Sequence, residues 1–137
     1  MSEPDMTSTL IRRNRRLLVV HNVKGDRLRV EAPGGKRNNG ESLDACSQRE
    51  LLEELGIRIR ILGHFGDYET QSPEGRFLVR MYLGRIVEGV PEIQESEKGK
   101  LEGPYWRSYE ELMGKWESYL VENLRNALIE LRRADYL

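Results

Sequence analysis

The stretch from Gly35 to Ile57, GKRNNGESLDACSQRELLEELGI, constrains this chain more than any other part of it. Just ahead of it, Ala32-Pro33-Gly34-Gly35 breaks a strand-like run, and glycine, with no β-carbon, lets a backbone turn tightly and approach a ligand or an ion closely. Ser42 stands where a helix N-cap belongs, Asp44 suits the positive end of the helix, helix formers run to Leu55, and Gly56 stops them. A loop followed by a helix that ends at Gly56 is therefore expected.

Glu50, Glu53 and Glu54 occupy positions i, i+3 and i+4 of that helix, so all three fall within a sector of roughly 100°. Like charges at this spacing cost an isolated helix about 0.2–0.5 kcal/mol per pair, and a divalent cation would compensate. Magnesium takes an octahedron of oxygens, commonly a few carboxylates completed by water and substrate phosphate. Arg49 is placed to pair with Glu53 one turn on, or with Glu41 if the preceding loop folds back, and either contact would orient a carboxylate. Cys46 and Leu43 lie on the carboxylate side of the wheel, where the helix is expected to rest on a sheet, so Cys46 is read as packing and not as a nucleophile.

Around this stretch the pattern alternates between hairpins and helices. Leu17–Val20 and Leu28–Val30 read as strands joined by the turn-like Lys24-Gly25-Asp26, after a polar start in which the first eight or so residues are expected to be loose. Ile57, Ile59 and Ile61 alternate with Arg58 and Arg60, and Ser72-Pro73-Glu74-Gly75 has turn chemistry before an apolar run from Phe77 to Val87, which together predict a longer second hairpin. The polar segment from Glu92 to Pro104 reads as a loop, with Tyr105–Arg107 a short strand. Leu120, Val121, Leu124, Ala127, Leu128 and Leu131 recur at helical steps and predict an amphipathic C-terminal helix. One α+β layered domain over residues 1–137 is the expected architecture.

Composition narrows the chemistry. Charged residues are 33% of the chain yet cancel to a net charge of −1, which argues against a surface that tracks a nucleic-acid polymer. No run approaches the ~18 apolar residues of a membrane span, and MSEPDMTSTL lacks the layout of a signal peptide, so no membrane partner and a cytoplasmic location are expected. A single cysteine and two histidines without zinc-ligand spacing leave carboxylates as the metal ligands, which favours Mg²⁺ with Mn²⁺ as the alternative. His21 and His64 are read as structural or surface residues.

Taken together, Gly35, Glu41, Arg49, Glu50, Leu51, Glu53, Glu54, Gly56 and Ile57 match every position of the pattern G-x5-E-x7-R-E-U-x-E-E-x-G-U, the Nudix box, in which U is a bulky aliphatic residue. Chance coincidence at all nine is on the order of once in 10⁹ placements. The chain thus resembles the Nudix hydrolases, and the flanking hairpin, tryptophan and C-terminal helix extend the resemblance over nearly its whole length. The resemblance implies an α/β (α+β) fold, the Nudix α/β/α sandwich with a mixed central sheet, and allows a homodimer.

It further implies that Glu50, Glu53 and Glu54, with the Gly34 carbonyl, hold magnesium, that Arg49 supports them, and that water attacks a phosphorus of a nucleotide-type small molecule to break a diphosphate bond. Glu50 or Glu53 is the candidate base; in some members a glutamate before the tryptophan matching Trp106 serves instead, and among Glu95, Glu97 and Glu102 the reading leans to Glu97 or Glu102. Gly35, Lys36 and Arg37 are candidate substrate contacts, Arg37-Asn38 being a departure from the aliphatic-acidic pair usual in the family. Phe65, Tyr68, Tyr82 and Trp106 are the aromatic candidates for base stacking. The short length and PGGK entry favour a nucleoside triphosphate cut to monophosphate and pyrophosphate; Pro73 keeps ADP-ribose or another NDP-sugar as the alternative, and a non-catalytic nucleotide-binding sensor is the alternative of another class.

Overall fold

A computed structural model describes residues 3–137 of the chain. Seven strands, β1 (Met6–Arg13), β2 (Arg16–Asn22), β3 (Arg29–Glu31), β4 (Gly34–Lys36), β5 (Arg58–Ser72), β6 (Gly75–Glu88) and β7 (Leu101–Ser108), accompany three helices, α1 (Leu43–Leu55), α2 (Tyr109–Met113) and α3 (Glu122–Arg133). The central path runs β3-β2-β1-β6-β5, with β4 paired to β1 and β7 to β2. The β1–β6 pair is parallel and the others antiparallel, so the sheet is mixed.

Helices cover the sheet on both sides. Leu124, Ala127, Leu128 and Leu131 of α3 bury against Leu10, Leu17, Val19 and Met81, while Leu51 and Leu55 of α1 pack with Ile11, Leu18, Val20, Ile57 and Ile59. Each fully buried leucine favours the folded state by about 1.5–3 kcal/mol relative to exposure. This is the α/β/α sandwich that the resemblance implies. Among the described residues no helix is long and apolar enough to cross a membrane.

The ends of α1 follow from local chemistry. Ser42 Oγ accepts from the Ala45 N–H at 3.1 Å, and Gly56 takes a left-handed φ of 68°, its N–H donating to the Leu52 carbonyl at 3.0 Å. The strand to which α1 docks corrects the expectation of a loose start: β1 begins at Met6, and Thr7 to Ile11 are buried at the centre of the sheet; residues 1–2 lie outside the described part. The hydroxyls that disguise β1 as a polar tail meet partners on α1, Thr9 Oγ1 lying 2.6 Å from Ser47 Oγ and Thr7 Oγ1 3.4 Å from the Cys46 thiol. The loop expected up to Pro104 is shorter than that, because β7 starts at Leu101 after a 3₁₀ turn over Glu95–Glu97. Helix α2, closed by a capping box between Ser108 and Glu111, was not foreseen; five residues are too few to show periodicity.

Candidate active site

The α1 carboxylates face a cavity of about 520 Å³ whose walls come from β1, β3, β4, the tip of the β5–β6 hairpin, the segment before β7 and the start of α3. Glu54 is only 7% exposed, and its carboxyl lies within hydrogen-bond reach of that of Glu50. Burial raises both carboxyls above the usual range, Glu54 well above it, with the Glu50 charge adding to the effect. The Gly34 N–H donates to Glu54 Oε1 at 3.2 Å, so the observed contact from this glycine is its amide, where the resemblance implied its carbonyl. A β-carbon on Gly35 would sit 2.5–2.6 Å from the Glu50 carboxyl, so only glycine leaves this carboxylate its place.

Arg49 takes both of the partners foreseen for it and two more, Glu50 and the Lys36 carbonyl. Its Nε and Nη2 grip Glu41 at 2.7 and 2.9 Å, Nη1 donates to Glu50 at 3.0 Å and to Glu53 at 3.1 Å, and Nη2 also donates to the Lys36 carbonyl at 3.0 Å. The guanidinium, first by its hydrogen bonds, and the Asn38 N–H hold the Glu41 carboxyl down to about 2. Arg49 therefore ties the loop, the end of β4 and two of the α1 carboxylates into one frame. Glu53 is the exposed member of the three, half open to the cavity.

The donor set suits a small hard cation. Among the described residues no three acidic, cysteine or histidine side chains already converge into a complete cage. Magnesium does not require one, since it usually binds through one or two carboxylates and keeps water and phosphate oxygens in its remaining positions. Glu50 and Glu54, crowded together with Glu53 beside them on the same cavity wall, fit that demand.

Other parts of the cavity were not legible beforehand. Glu31 faces it from β3, its carboxyl raised by burial and bound by Asn22 Nδ2 at 3.1 Å. Met6, Phe77, Val79 and Val121 provide apolar wall, with buried Thr70 and Asn123 among them. Of the glutamates before Trp106, Glu97 lines the cavity and pairs with Lys100 at 3.0 Å, whereas Glu95 pairs with Lys98 and Glu102 lies outside the lining. Arg37 also lies outside the lining and pairs with Glu3 at 3.1 Å, while Gly35 and Lys36 do line the cavity.

None of the four aromatic candidates is among the lining residues. Phe65 and Tyr68 pack on the core under α3, Tyr82 donates to Asp44 at 2.6 Å beneath α1, and Trp106 packs on the other core with Arg13 over its ring. Phe77 is the aromatic residue that reaches the cavity. His64 pairs with Asp67 at 2.8 Å outside the site, and His21 is buried between Tyr105 and Trp116. Cys46 is buried against Thr7, its thiol raised by burial, which suits packing and not nucleophilic attack.

The NUDIX domain model matches residues 4–128 of the chain. The 8-oxo-dGTP diphosphatase of Escherichia coli (strain K12) is 32% identical over 72 residues, 53% of this chain and 56% of that protein, so the match spans about half the length of the curated relative. A NUDIX hydrolase from Nitrosomonas europaea superposes with a TM-score of 0.79 at 22% identity, covering 97% of this chain and 90% of that one. The MutT protein from Methanosarcina mazei Go1 does so with a TM-score of 0.79 at 22% identity, covering 96% and 94%.

Proposed function

Since the chain belongs to the NUDIX family, we propose that it is a magnesium-dependent hydrolase that cuts the diphosphate link of a nucleoside diphosphate derivative, with a (deoxy)nucleoside triphosphate, cut to monophosphate and pyrophosphate, as the favoured substrate. The observation that carries this reading is the buried Glu50–Glu54 pair opening onto a cavity large enough for a nucleotide.

Glu50, Glu53 and Glu54 would hold the ion, which when bound neutralises charge growing on phosphate oxygens and lowers the pKa of water. The work of the chain's own residues is positional and electrostatic. Arg49 keeps Glu50 and Glu53 oriented by its fork to Glu41. Glu53, exposed to the cavity and tied at one oxygen only, is free to accept a proton from water; Glu97 is the second candidate for that task. Phe77 and the aliphatic wall exclude water from the base, and Asn123 and Thr70 offer hydrogen bonds to its edge.

The 8-oxo-dGTP diphosphatase activity of the E. coli relative supports a triphosphate substrate. Pro73, at the rim of the same cavity, supports ADP-ribose or another NDP-sugar as the second reading. Purified protein incubated with Mg²⁺ and a panel of nucleoside triphosphates, oxidised deoxynucleotides, ADP-ribose and dinucleoside polyphosphates, with products separated by chromatography, decides between them. Monophosphate plus pyrophosphate names the first and AMP plus ribose phosphate the second. Nucleotide binding without turnover of any compound would replace both with a non-catalytic sensor.

A further inference from the structure

The cavity is electrically two-ended. Glu31, Glu50, Glu53, Glu54 and Glu97 line one end, where a cation is required. At the exposed rim stand three cations from separate segments: Lys24 and Arg29 on the two sides of the β2–β3 turn, and Lys36 at the end of β4. One acid serves all three. Glu74, at the turn of the β5–β6 hairpin, reaches across to Lys36 at 2.8 Å. Lys24 and Arg29 lie close enough to help Lys36 hold the Glu74 carboxyl below its usual range. Among the described residues neither Lys24 Nζ nor the Arg29 guanidinium has an ion-pair partner, and the guanidinium's contact is a long 3.4 Å bond to the Lys24 carbonyl. Gly25, between them, adds no side chain to cover the Arg29 guanidinium, 4.0 Å from where its β-carbon would be.

Three cations lining a ligand cavity, with one carboxylate lent by a hairpin turn and Glu31 drawing on Arg29 alone of the three, remain short of negative charge by one to two. A phosphate monoester supplies about that amount, together with three acceptor oxygens. We propose that Lys24, Arg29 and Lys36 form a subsite for a phosphate of the substrate other than the two that flank the bond being cut, and that Glu74 occupies it as a built-in carboxylate when no substrate is bound. The assignment rests on the hydrolase reading above and narrows its substrate class to nucleotides that carry a third phosphate. That phosphate has two sources, the terminal phosphate of a nucleoside triphosphate or a monoester on the sugar.

Calorimetry in Mg²⁺ with non-cleavable methylene-bridged nucleotides tests this apart from turnover. The probes are a nucleoside diphosphate analogue, the same compound with a 3′-phosphate, and the corresponding triphosphate analogue. In the wild type, one of the two additional phosphates is expected to tighten binding about tenfold, equivalent to about 1.4 kcal/mol, and the arm that tightens names the source. Glu74→Gln removes the competitor and is expected to widen that gain, whereas the Lys24→Met/Arg29→Met double variant erases it and Lys24→Arg/Arg29→Lys restores it. Because the quantity is a difference between two ligands on one variant, partial loss of folding does not imitate it. No gain in either arm, a gain that survives in the double variant, or a Glu74→Gln protein identical to the wild type would each overturn the subsite. The hydrolase reading would fail separately, through the absence of any turnover in the substrate panel.

Discussion

Single residues decide how rigidly the carboxylates are held. Arg49 satisfies five acceptor contacts through a planar fork, which an ammonium cannot reproduce. Arg49→Lys is expected to lower stability by about 1–3 kcal/mol, read as a shift of the urea midpoint, with a larger loss in kcat than in KM; an unchanged midpoint and kcat would show the frame to be dispensable. His21 makes a different demand. It is 5% exposed, its Nε2 has no hydrogen-bond partner, and burial, aided by Arg107 and opposed by Glu102, pushes its pKa below the usual value. A lowered folded pKa means that the neutral ring is the form the fold accepts. Its contribution is then fully present above about pH 6.5 and is lost as the pH falls from there toward the folded value. Wild type and His21→Phe, melted between pH 7.5 and 5, should diverge in favour of the variant on acidification; a gap independent of pH would count against this. Arg49 could be read from sequence because its partners lie within one turn or one loop. The burial of His21 could not, since Tyr105 and Trp116 approach it from more than eighty positions along the chain.

Among the elements, α1 was legible end to end because its signals are local: a serine cap, acidic and helix-forming residues, and a left-handed glycine. The strand beneath it was not. Period-two reasoning expects apolar residues on a buried face, and β1 instead presents Thr7 and Thr9 to α1. The same hydroxyls give the seat of α1 a hydrogen-bonded register, with Thr9–Ser47 at 2.6 Å and Tyr82–Asp44 at 2.6 Å beside it. Ser47→Ala leaves the fully buried Thr9 hydroxyl without a partner and is expected to cost about 1–3 kcal/mol, while Thr9→Val combined with Ser47→Ala should recover most of that loss. Chemical denaturation of the four proteins in the cycle measures the coupling; additive losses would mean that the hydroxyl pair does not act as a unit.

For the whole molecule, the division between what was legible and what was not follows sequence distance. The carboxylate half of the site is written into 23 consecutive residues, and its sandwich follows from hairpins and helices whose periods are plain. The other half of the cavity is assembled from β1, the β5–β6 hairpin and the start of α3, and no local pattern announces that Met6, Phe77 and Asn123 share a cavity. Phe65, Tyr68, Tyr82 and Trp106 lie outside that lining for a reason no sequence displays: aromatic character is visible in a sequence, but the face on which a ring lies is set by strand parity and bulges, and β5 shifts register three times along its length. The account therefore stands or falls on the half that sequence and structure describe in common, the Glu50–Glu54 pair. Mn²⁺ binding followed by electron paramagnetic resonance in the wild type and in Glu54→Gln tests it most directly. The account predicts that the wild type binds the ion and that the folded variant binds it at least about tenfold more weakly, equivalent to about 1.4 kcal/mol or more. Equal affinity in the two proteins would contradict it.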